Sequence, residues 1–306
     1  MAAMVLASAC ARGAAQPAPV ETPGAPRADG VLTVGSVSMT LGREHEVVQP
    51  FADYLAARLA RFNIGHARVV VVDSLHMMID EINTNQVDLY IDSPFPVAFV
   101  ASRGADVKVL LRRWKRGSDE YRSVIFTRND SGVESLDGLR GRMIAFGEPF
   151  STTGFLLPKA TLAAAGLELD HFQDPAATVA PGNVGYVFSN DSENTMFWVL
   201  KGKVTAGAVN EEYFGMLAGR RADELRVLYR TKTLPRNIVC ARASLDPELM
   251  SAIVDVLLSM KDDDEGRSVL QAFEGTTDFD RFPQGDEQAL ADVVAMLPFV
   301  ESDLGK

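Results

Sequence analysis

The sequence has 306 residues, 47% hydrophobic and 23% charged, so it can bury a large core in two lobes and lacks the composition of a disordered chain. The formal net charge of −11 argues against a nucleic-acid-binding surface, because no long basic stripe compensates for it. No apolar run reaches the length of about 18 residues that a membrane-spanning helix needs.

The first ten residues, Met1 to Cys10, are apolar and end in small residues before a cysteine. Bacterial lipoprotein signals end in this way, so we predict that 1–9 form a signal segment and that Cys10 is lipidated. The stretch lacks basic residues, and the alternative is an ordinary tail with an incidental cysteine. In the lipoprotein interpretation, residues 10–29, rich in alanine and proline, form a flexible tether between the membrane and the globular part.

From Val31 onward, apolar runs alternate with amphipathic segments whose apolar residues recur at a spacing of three and four. The pattern predicts helices in the intervening segments, and it predicts strands at 31–37, 67–73, 87–92 and 107–111. Strands rich in valine and isoleucine that alternate with helices indicate a mostly parallel sheet covered on both faces.

The same alternation repeats from about Gly132 before the chain returns through 237–245 into a helical tail. Two crossings, near 121–130 and 234–242, then join two α/β lobes into a hinged clamshell. We predict that the first lobe comprises 30–125 with 238–306 and that the second comprises 126–237. Ligands of such folds bind between the lobes, at the carboxyl ends of strands.

A cluster of hydroxyl residues lies where a predicted strand of the second lobe gives way to a helix: Ser151, Thr152, Thr153 and Gly154. Such a position leaves backbone N–H groups unpaired in front of the positive end of the helix dipole. The hydroxyls add rotatable donors, and the glycine allows close approach to the main chain. The cluster predicts a site for a small oxyanion, and a plain helix N-cap is the alternative.

Three stretches carry a resemblance to a known family: SGVESLDGLRGR (131–142), the hydroxyl cluster and VLKGKVTAGAV (199–209). Together they resemble the substrate-binding proteins of phosphate, phosphite and phosphonate ABC transporters over roughly residues 31–270. The resemblance implies an α/β, type II periplasmic-binding-protein clamshell with mixed, mainly parallel sheets. It also implies an extracytoplasmic protein that delivers a small phosphorus oxyanion to an ABC permease.

The resemblance also places Asp191, Ser192 and Glu193 at the ligand, where the family usually carries Ser-His-Asp. The histidine of that pattern is therefore replaced by a serine. If Glu193 faces the ligand, charge repulsion requires a ligand that carries a hydrogen, such as a protonated oxyanion or an amine. The alternative is that the carboxylates only favour the dipole of the following helix.

Further candidate contacts lie at the ends of other predicted strands and at the first crossing: Tyr90, Ser93, Asn210, Glu211 and Tyr121. The resemblance suggests Tyr90 as an aromatic wall of the cleft, with core packing as the alternative. For Asn210 the alternative is a helix cap, and for Tyr121 it is packing at the hinge.

Two further sets of polar residues are more typical of structural roles. Ser36 and Ser38, after the first strand, are more typical of a simple turn. The basic run 112–116 favours a solvated turn. The alternatives are an ion pair from Arg112 or Arg113 to Asp119 or Glu120, or a counter-charge from one of these arginines to the cleft. We therefore expect hydroxyl and N–H groups to supply most of the attraction for the ligand.

Nothing in the sequence indicates catalysis. The four histidines lack the spacing of metal ligands, and no phosphate-binding loop or nucleophile motif occurs. We predict a monomeric binding protein that is not an enzyme and uses no cofactor or metal. The alternatives are a receptor subunit for a sensor kinase or chemoreceptor, and more remotely an enzyme on the same fold.

Overall fold

The structure is a computed structural model that describes residues 30–283, 285 and 290–304. The predicted signal segment, Cys10 and the tether lie outside the described residues. The strands are β1 (Val31–Val37), β2 (His66–Val72), β3 (Leu89–Asp92), β4 (Val107–Lys115), β5 (Glu120–Tyr121), β6 (Ser123–Arg128), β7 (Met143–Phe146), β8 (Leu169–His171), β9 (Val184–Phe188), β10 (Ala206–Asn210), β11 (Leu225–Arg230), β12 (Leu234–Pro235), β13 (Asn237–Arg242) and β14 (Thr276–Asp280). The helices are α1 (Leu41–Arg58), α2 (Leu75–Asn83), α3 (Pro94–Ser102), α4 (Leu157–Ala164), α5 (Ser192–Leu200), α6 (Glu211–Ala218), α7 (Pro247–Ser259), α8 (Asp264–Ala272) and α9 (Ala291–Val294).

The first sheet has six strands in the order β14-β4-β13-β3-β1-β2. Its β1, β2 and β3 are parallel, whereas β13 runs antiparallel to both of its neighbours. The valine-rich β1 is buried along nearly its whole length because helices cover both of its faces. The predicted strand 31–37 is therefore confirmed, and its carboxyl end points to the middle of the molecule.

The second sheet also has six strands, in the order β11-β6-β10-β7-β9-β8. Here β7, β8, β9 and β10 are parallel, and β6 runs antiparallel to β10 and β11. Both sheets are thus mixed, and in each of them most strands run in the same direction, as the alternating pattern predicted.

Between the sheets the chain crosses twice, and the crossings pair as a short antiparallel ribbon. In this ribbon Tyr121 of β5 lies opposite Leu234 of β12. The chain enters the second sheet at Ser123, slightly before the boundary at 126 that the sequence suggested. The division of the chain into lobes otherwise stays a prediction.

One continuous apolar cluster reaches from the first sheet to the second. It contains Tyr90 and Ile238 of the first sheet together with Ile125 and Ile144 of the second. Helix α3, buried from Pro94 to Val100, lies within this cluster and explains why its sequence is apolar all round. The packing fixes the carboxyl ends of both sets of strands around a shared space.

After β14 the chain continues into a segment, 290–304, that touches both halves of the molecule. Helix α9 packs on α3, and Arg103 pairs with Glu301 at 2.9 Å. On the side of the second sheet, the buried Lys159 and Asp303 form an ion pair at 2.5 Å. This segment was foreseen only as part of a helical tail.

Cys240, in the apolar strand β13, is a free and fully buried cysteine that packs as a small hydrophobic residue. Among the described residues, no helix has both the length and the hydropathy needed to cross a bilayer.

Candidate ligand-binding site

A cavity of about 290 Å³ lies between the two sheets. Its walls are the segments that follow the carboxyl ends of strands from both sheets: β1 and β3 from the first, β7 and β10 from the second. The predicted contact residues that line it are Ser93, Tyr121, Ser151, Thr153, Ser192 and Asn210. The convergence of strand ends explains why residues so far apart in sequence meet here.

The hydroxyl cluster forms the second-sheet wall of the cavity. Ser151 caps a short π-helical turn, Thr152–Leu156, and its Oγ accepts the Gly154 N–H at 2.9 Å. Its own hydroxyl hydrogen is then free to donate into the cavity. The N–H groups of Thr152 and Thr153 head the turn, where helix geometry provides no intrahelical acceptor. A side chain at Gly154 would place its Cβ 2.8 Å from that Ser151 oxygen, so the turn requires glycine.

The next hydroxyl, Thr152, points away from the cavity and joins the wall to the first sheet. Its Oγ1 accepts the Phe95 N–H at 3.0 Å and donates to the Ser93 Oγ at 2.9 Å. Because the Ser93 oxygen already accepts, its hydrogen can point to a ligand. A chain of donors therefore runs from Phe95 through Thr152 to the cavity surface.

Two further neutral donors line the cavity, Tyr121 at the first crossing and Asn210 at the end of β10. The Tyr121 hydroxyl is buried close to Ser93 and Thr152, yet it makes no hydrogen bond of normal geometry with any described residue. The Asn210 Oδ1 caps α6 by accepting the N–H groups of Glu212 and Tyr213. This leaves the Asn210 amide nitrogen to donate into the cavity.

Three cations also face the cavity: Arg113, Lys115 and Arg236. For Arg113 this is the counter-charge to the cleft that was named as an alternative, whereas Lys115 and Arg236 were not predicted. The interpretation of 112–116 as a solvated turn was wrong, because the run up to Lys115 is the end of strand β4. Alternation along a strand sends Arg113 and Lys115 to the cavity face. Arg112 lies on the opposite face and pairs with Asp119 at 2.5 Å, the ion pair named as the alternative.

The side chain of Arg113 is 2% exposed and is held by hydrogen bonds within the half of the molecule that is built on the first sheet. Its Nε donates to Thr276 at 2.8 Å and its Nη2 donates to the Phe273 carbonyl at 2.8 Å. Burial lowers the pKa of Arg113 below its ordinary value, but an arginine guanidinium stays charged at neutral pH. Attraction by charge therefore adds to the hydroxyl and N–H donors, contrary to the expectation of a mainly neutral site.

Glu274 partly balances these cations. Its carboxylate lies 3.1 Å from Arg113 and 2.8 Å from Lys115. Burial alone would raise its pKa, but the charges of Lys115 and Arg113 outweigh burial and lower the pKa of Glu274 to about 2. Arg236, with a side chain 5% exposed, pairs with Glu212 at 2.8 Å.

The remaining carboxyl groups of the cavity are protonated more easily than usual. Burial raises the pKa of Asp92 to about 7, although the Ser93 N–H and the Tyr90 hydroxyl both donate to it. Burial, with the nearby charges of Asp191 and Glu44, raises the pKa of Glu148 to about 7. Glu44 also has a raised pKa, chiefly through burial.

Several residues predicted to contact the ligand do not line the cavity. Tyr90 is 1% exposed, and its hydroxyl donates a hydrogen bond to Asp92. It therefore packs in the core, as the alternative interpretation stated. Thr152 and Gly154 lie behind the wall, where their polar groups serve the internal bonds described above.

The predicted contact residues Asp191, Glu193 and Glu211, at the starts of α5 and α6, also do not line the cavity. Asp191 caps α5 by accepting the Asn194 N–H at 2.6 Å, and Glu193 is exposed on that helix. Glu211 faces the hinge side, where it pairs with Arg122 at 2.5 Å and with Arg230 at 2.6 Å. The dipole alternative therefore describes Asp191 correctly.

Ser36 and Ser38 do line the cavity, so the interpretation as a simple turn was wrong. Ser36 belongs to β1, is buried and donates to Glu44 at 2.6 Å. The signal available in the sequence was its position at the carboxyl end of the first strand. No group of three or more histidine, cysteine, aspartate or glutamate side chains that could hold a metal ion occurs in the described part of the chain.

Comparison with known proteins shows which family the chain matches. A family model described as the periplasmic substrate-binding protein of a phosphonate ABC transporter matches residues 39–287, most of the chain.

Solved structures share the fold at low identity. The Xanthomonas citri protein XAC2383, solved with ATP bound, is 24% identical and has a TM-score of 0.83 over 90% of this chain and 100% of its own. PhnD1 from Prochlorococcus marinus, in complex with methylphosphonate, is 16% identical with a TM-score of 0.67 over 89% and 98%. A binding protein component of an ABC phosphonate transporter from Pseudomonas aeruginosa is 15% identical with a TM-score of 0.61 over 89% and 97%.

Proposed function

Since the chain belongs to the family of periplasmic substrate-binding proteins of phosphonate ABC transporters, we propose that it captures a small phosphorus oxyanion in its central cavity. The fold is that of type II periplasmic binding proteins, as the sequence predicted. The family implies an extracytoplasmic protein with a small ligand and a permease partner. The chemistry of the ligand is the part that we infer from the cavity.

The convergence of donors on one small cavity is the observation that carries this proposal. Ser151 and Thr153 offer hydroxyls from the second sheet, Ser93 offers one from the first, and Arg113 and Arg236 add positive charge. Hydrogen bonds between charged partners are shorter and stronger than neutral ones, and arginine matches the oxygens of a phosphonate group. An anion that bridges both sheets satisfies donors that otherwise face solvent.

Size supports a small ligand. At about 290 Å³ the cavity lies at the lower end of the range, roughly 300–1,000 Å³, in which drug-sized ligands bind. Methylphosphonate, the ligand of the Prochlorococcus relative, is such a small phosphorus oxyanion.

Delivery to a permease follows if ligand binding favours a closed arrangement of two lobes. We take 30–122 with 238–306 as one lobe and 123–237 as the other, hinged at the β5–β12 ribbon. Because Ser93 and Ser151 approach the ligand from different lobes, the ligand stabilises their closed arrangement relative to the open one. The protein then acts as a monomer that presents its closed form to the membrane partner.

Calorimetric titration of the purified protein tests the ligand class. We expect methylphosphonate, aminoethylphosphonate, phosphite or phosphate to give saturable heat with one site per chain, and sulfate to bind more weakly. Phosphorus NMR of the same mixtures should show unchanged ligand, since we propose binding without turnover. A panel that produces no heat, or a product signal in the spectrum, contradicts the proposal.

Membrane attachment is a separate part of the proposal and rests on Cys10. Expression of the full chain with a labelled fatty acid should give a labelled protein, and the Cys10→Ala variant should be unlabelled and released from membranes. An unlabelled wild-type protein in a host that labels a known lipoprotein contradicts the anchor but leaves the binding function intact.

A further inference from the structure

Two glutamates face the cavity from opposite sides. Glu44, on α1, belongs to the half of the molecule built on the first sheet, and Glu148 follows β7 of the second. Glu44 accepts a hydrogen bond from Ser36 at 2.6 Å. By contrast, the side chain of Glu148 has neither a hydrogen bond nor an ion pair with any residue that the structure describes.

The cations around the cavity are engaged with other carboxylates. Lys115 and Arg113 bind Glu274, and Arg236 binds Glu212. Arg113 and Lys115 lie on the wall formed by the first sheet, and Arg236 lies on the crossing. Glu148 therefore lacks the cation partner that a half-buried carboxylate usually has.

The other acidic groups near Glu148 make its charge more costly. Asp191, which caps α5, and Glu44 both repel a negative charge on Glu148. Asp92 also lines the cavity, from the end of β3, and the phenol of Tyr213 lines it from α6. An anionic ligand adds one more negative charge to this neighbourhood.

We propose that Glu148 couples anion capture to the uptake of one proton, so that the site binds its oxyanion with Glu148 in the neutral form. This inference rests on the proposed function and specifies how the same cavity is regulated. In the neutral form the Glu148 carboxyl can donate a hydrogen bond to the oxyanion, whereas the carboxylate would repel it. The raised pKa of Glu148, about 7 in the empty cavity, makes the proton available at neutral pH.

The sign of the pH dependence follows directly. Below about pH 7 Glu148 is already neutral, so it adds no pH dependence to binding. Well above that pH, each further unit lowers the fraction of neutral Glu148 tenfold, so the affinity for the oxyanion falls by about tenfold per unit. Removing the negative charge opposite, on Glu44, should move the onset of this loss to lower pH.

Calorimetry with methylphosphonate as the probe tests the coupling, with titrations in two buffers of different ionisation enthalpy at about pH 6 and about pH 8. Three proteins are compared: wild type, Glu148→Gln and the matched control Glu193→Gln, whose glutamate is exposed on α5 outside the cavity. Titration of the ligand itself is common to all three proteins and cancels in the comparison. Glutamine imitates the neutral carboxyl in size and can donate a hydrogen bond.

We expect the wild-type protein to take up about one proton more than Glu148→Gln at pH 8 and about none more at pH 6. The affinity of Glu148→Gln relative to wild type should rise about tenfold between pH 6 and pH 8, and Glu193→Gln should behave as wild type. A Glu44→Gln variant should show the wild-type loss of affinity at lower pH.

Equal proton uptake in wild type and Glu148→Gln overturns the coupling alone, since binding itself still occurs. Loss of binding by Glu148→Gln at both pH values also overturns it, because the glutamine mimics the form that should bind. Absence of heat with wild type contradicts the proposed function and, with it, the coupling.

Discussion

Replacing Thr153 by valine should separate ligand contact from protein stability. Thr153 lies 7% exposed on the cavity wall, and its hydroxyl has no hydrogen-bond partner in the described part of the chain. A hydrogen bond to a charged acceptor contributes about 1.5–3 kcal/mol. At about 1.4 kcal/mol per factor of ten, its loss should weaken oxyanion binding about 10- to 100-fold.

Stability should hardly change in this variant. Valine keeps the branched shape of threonine, and no internal hydrogen bond is broken, so the free energy of unfolding should stay within about 0.5 kcal/mol of wild type. Affinity is measured by calorimetry with methylphosphonate, and stability by urea denaturation of the ligand-free protein.

The neighbouring Thr152→Val is the matched control. It removes a hydroxyl that accepts the Phe95 N–H and donates to Ser93, and it leaves that buried N–H without a partner. The expected cost is about 1–3 kcal/mol of unfolding free energy. The reasoning fails if Thr153→Val binds as tightly as wild type, or if it loses as much stability as Thr152→Val.

Three further changes test other parts of the account. Arg236→Met should weaken methylphosphonate binding by about 2 kcal/mol or more, roughly thirtyfold, with native circular dichroism; a Kd close to wild type would remove Arg236 from the site. Asp92→Asn should match wild type in unfolding free energy below about pH 4 and exceed it above about pH 7, by up to about 4 kcal/mol. The sign follows because the raised pKa makes the wild-type fold lose stability as pH rises through this window, and parallel curves would refute it. Lys159→Met should cost about 3–5 kcal/mol by stranding the buried Asp303 carboxylate, and the added Asp303→Leu change should recover most of it; urea titrations that show no recovery contradict the ion-pair explanation.

The architecture could be predicted because it depends on local patterns. Continuous apolar runs such as 31–37 and amphipathic stretches such as 247–259 specify their own secondary structure, and short parallel units limit the topology. The hydroxyl cluster could be found because capping residues and anion-binding residues coincide at a helix start. The hydroxyls of the cluster have different roles: Thr152 bonds to the start of α3, whereas Thr153 faces the cavity. This difference depends on contacts with α3 and was not visible in the sequence.

For the charged half of the cavity, the sequence offered only a counter-charge from Arg112 or Arg113, as an alternative. Arg113 faces the cavity because of the register of β4 between β13 and β14, which lie far along the chain. Its partner Glu274 and the crossing residue Arg236 reach the same space only after folding. The cluster Arg112 to Arg116 therefore looked like a solvated run, although alternation along a strand would have divided it between two faces.

A crystal structure of the protein grown with methylphosphonate tests the central claim most directly. The account predicts the phosphonate group in the cavity between the two sheets, within hydrogen-bond distance of Ser151 and Thr153 and facing Arg113 or Arg236. A phosphonate bound on another surface, with the central cavity filled by water alone, would contradict it.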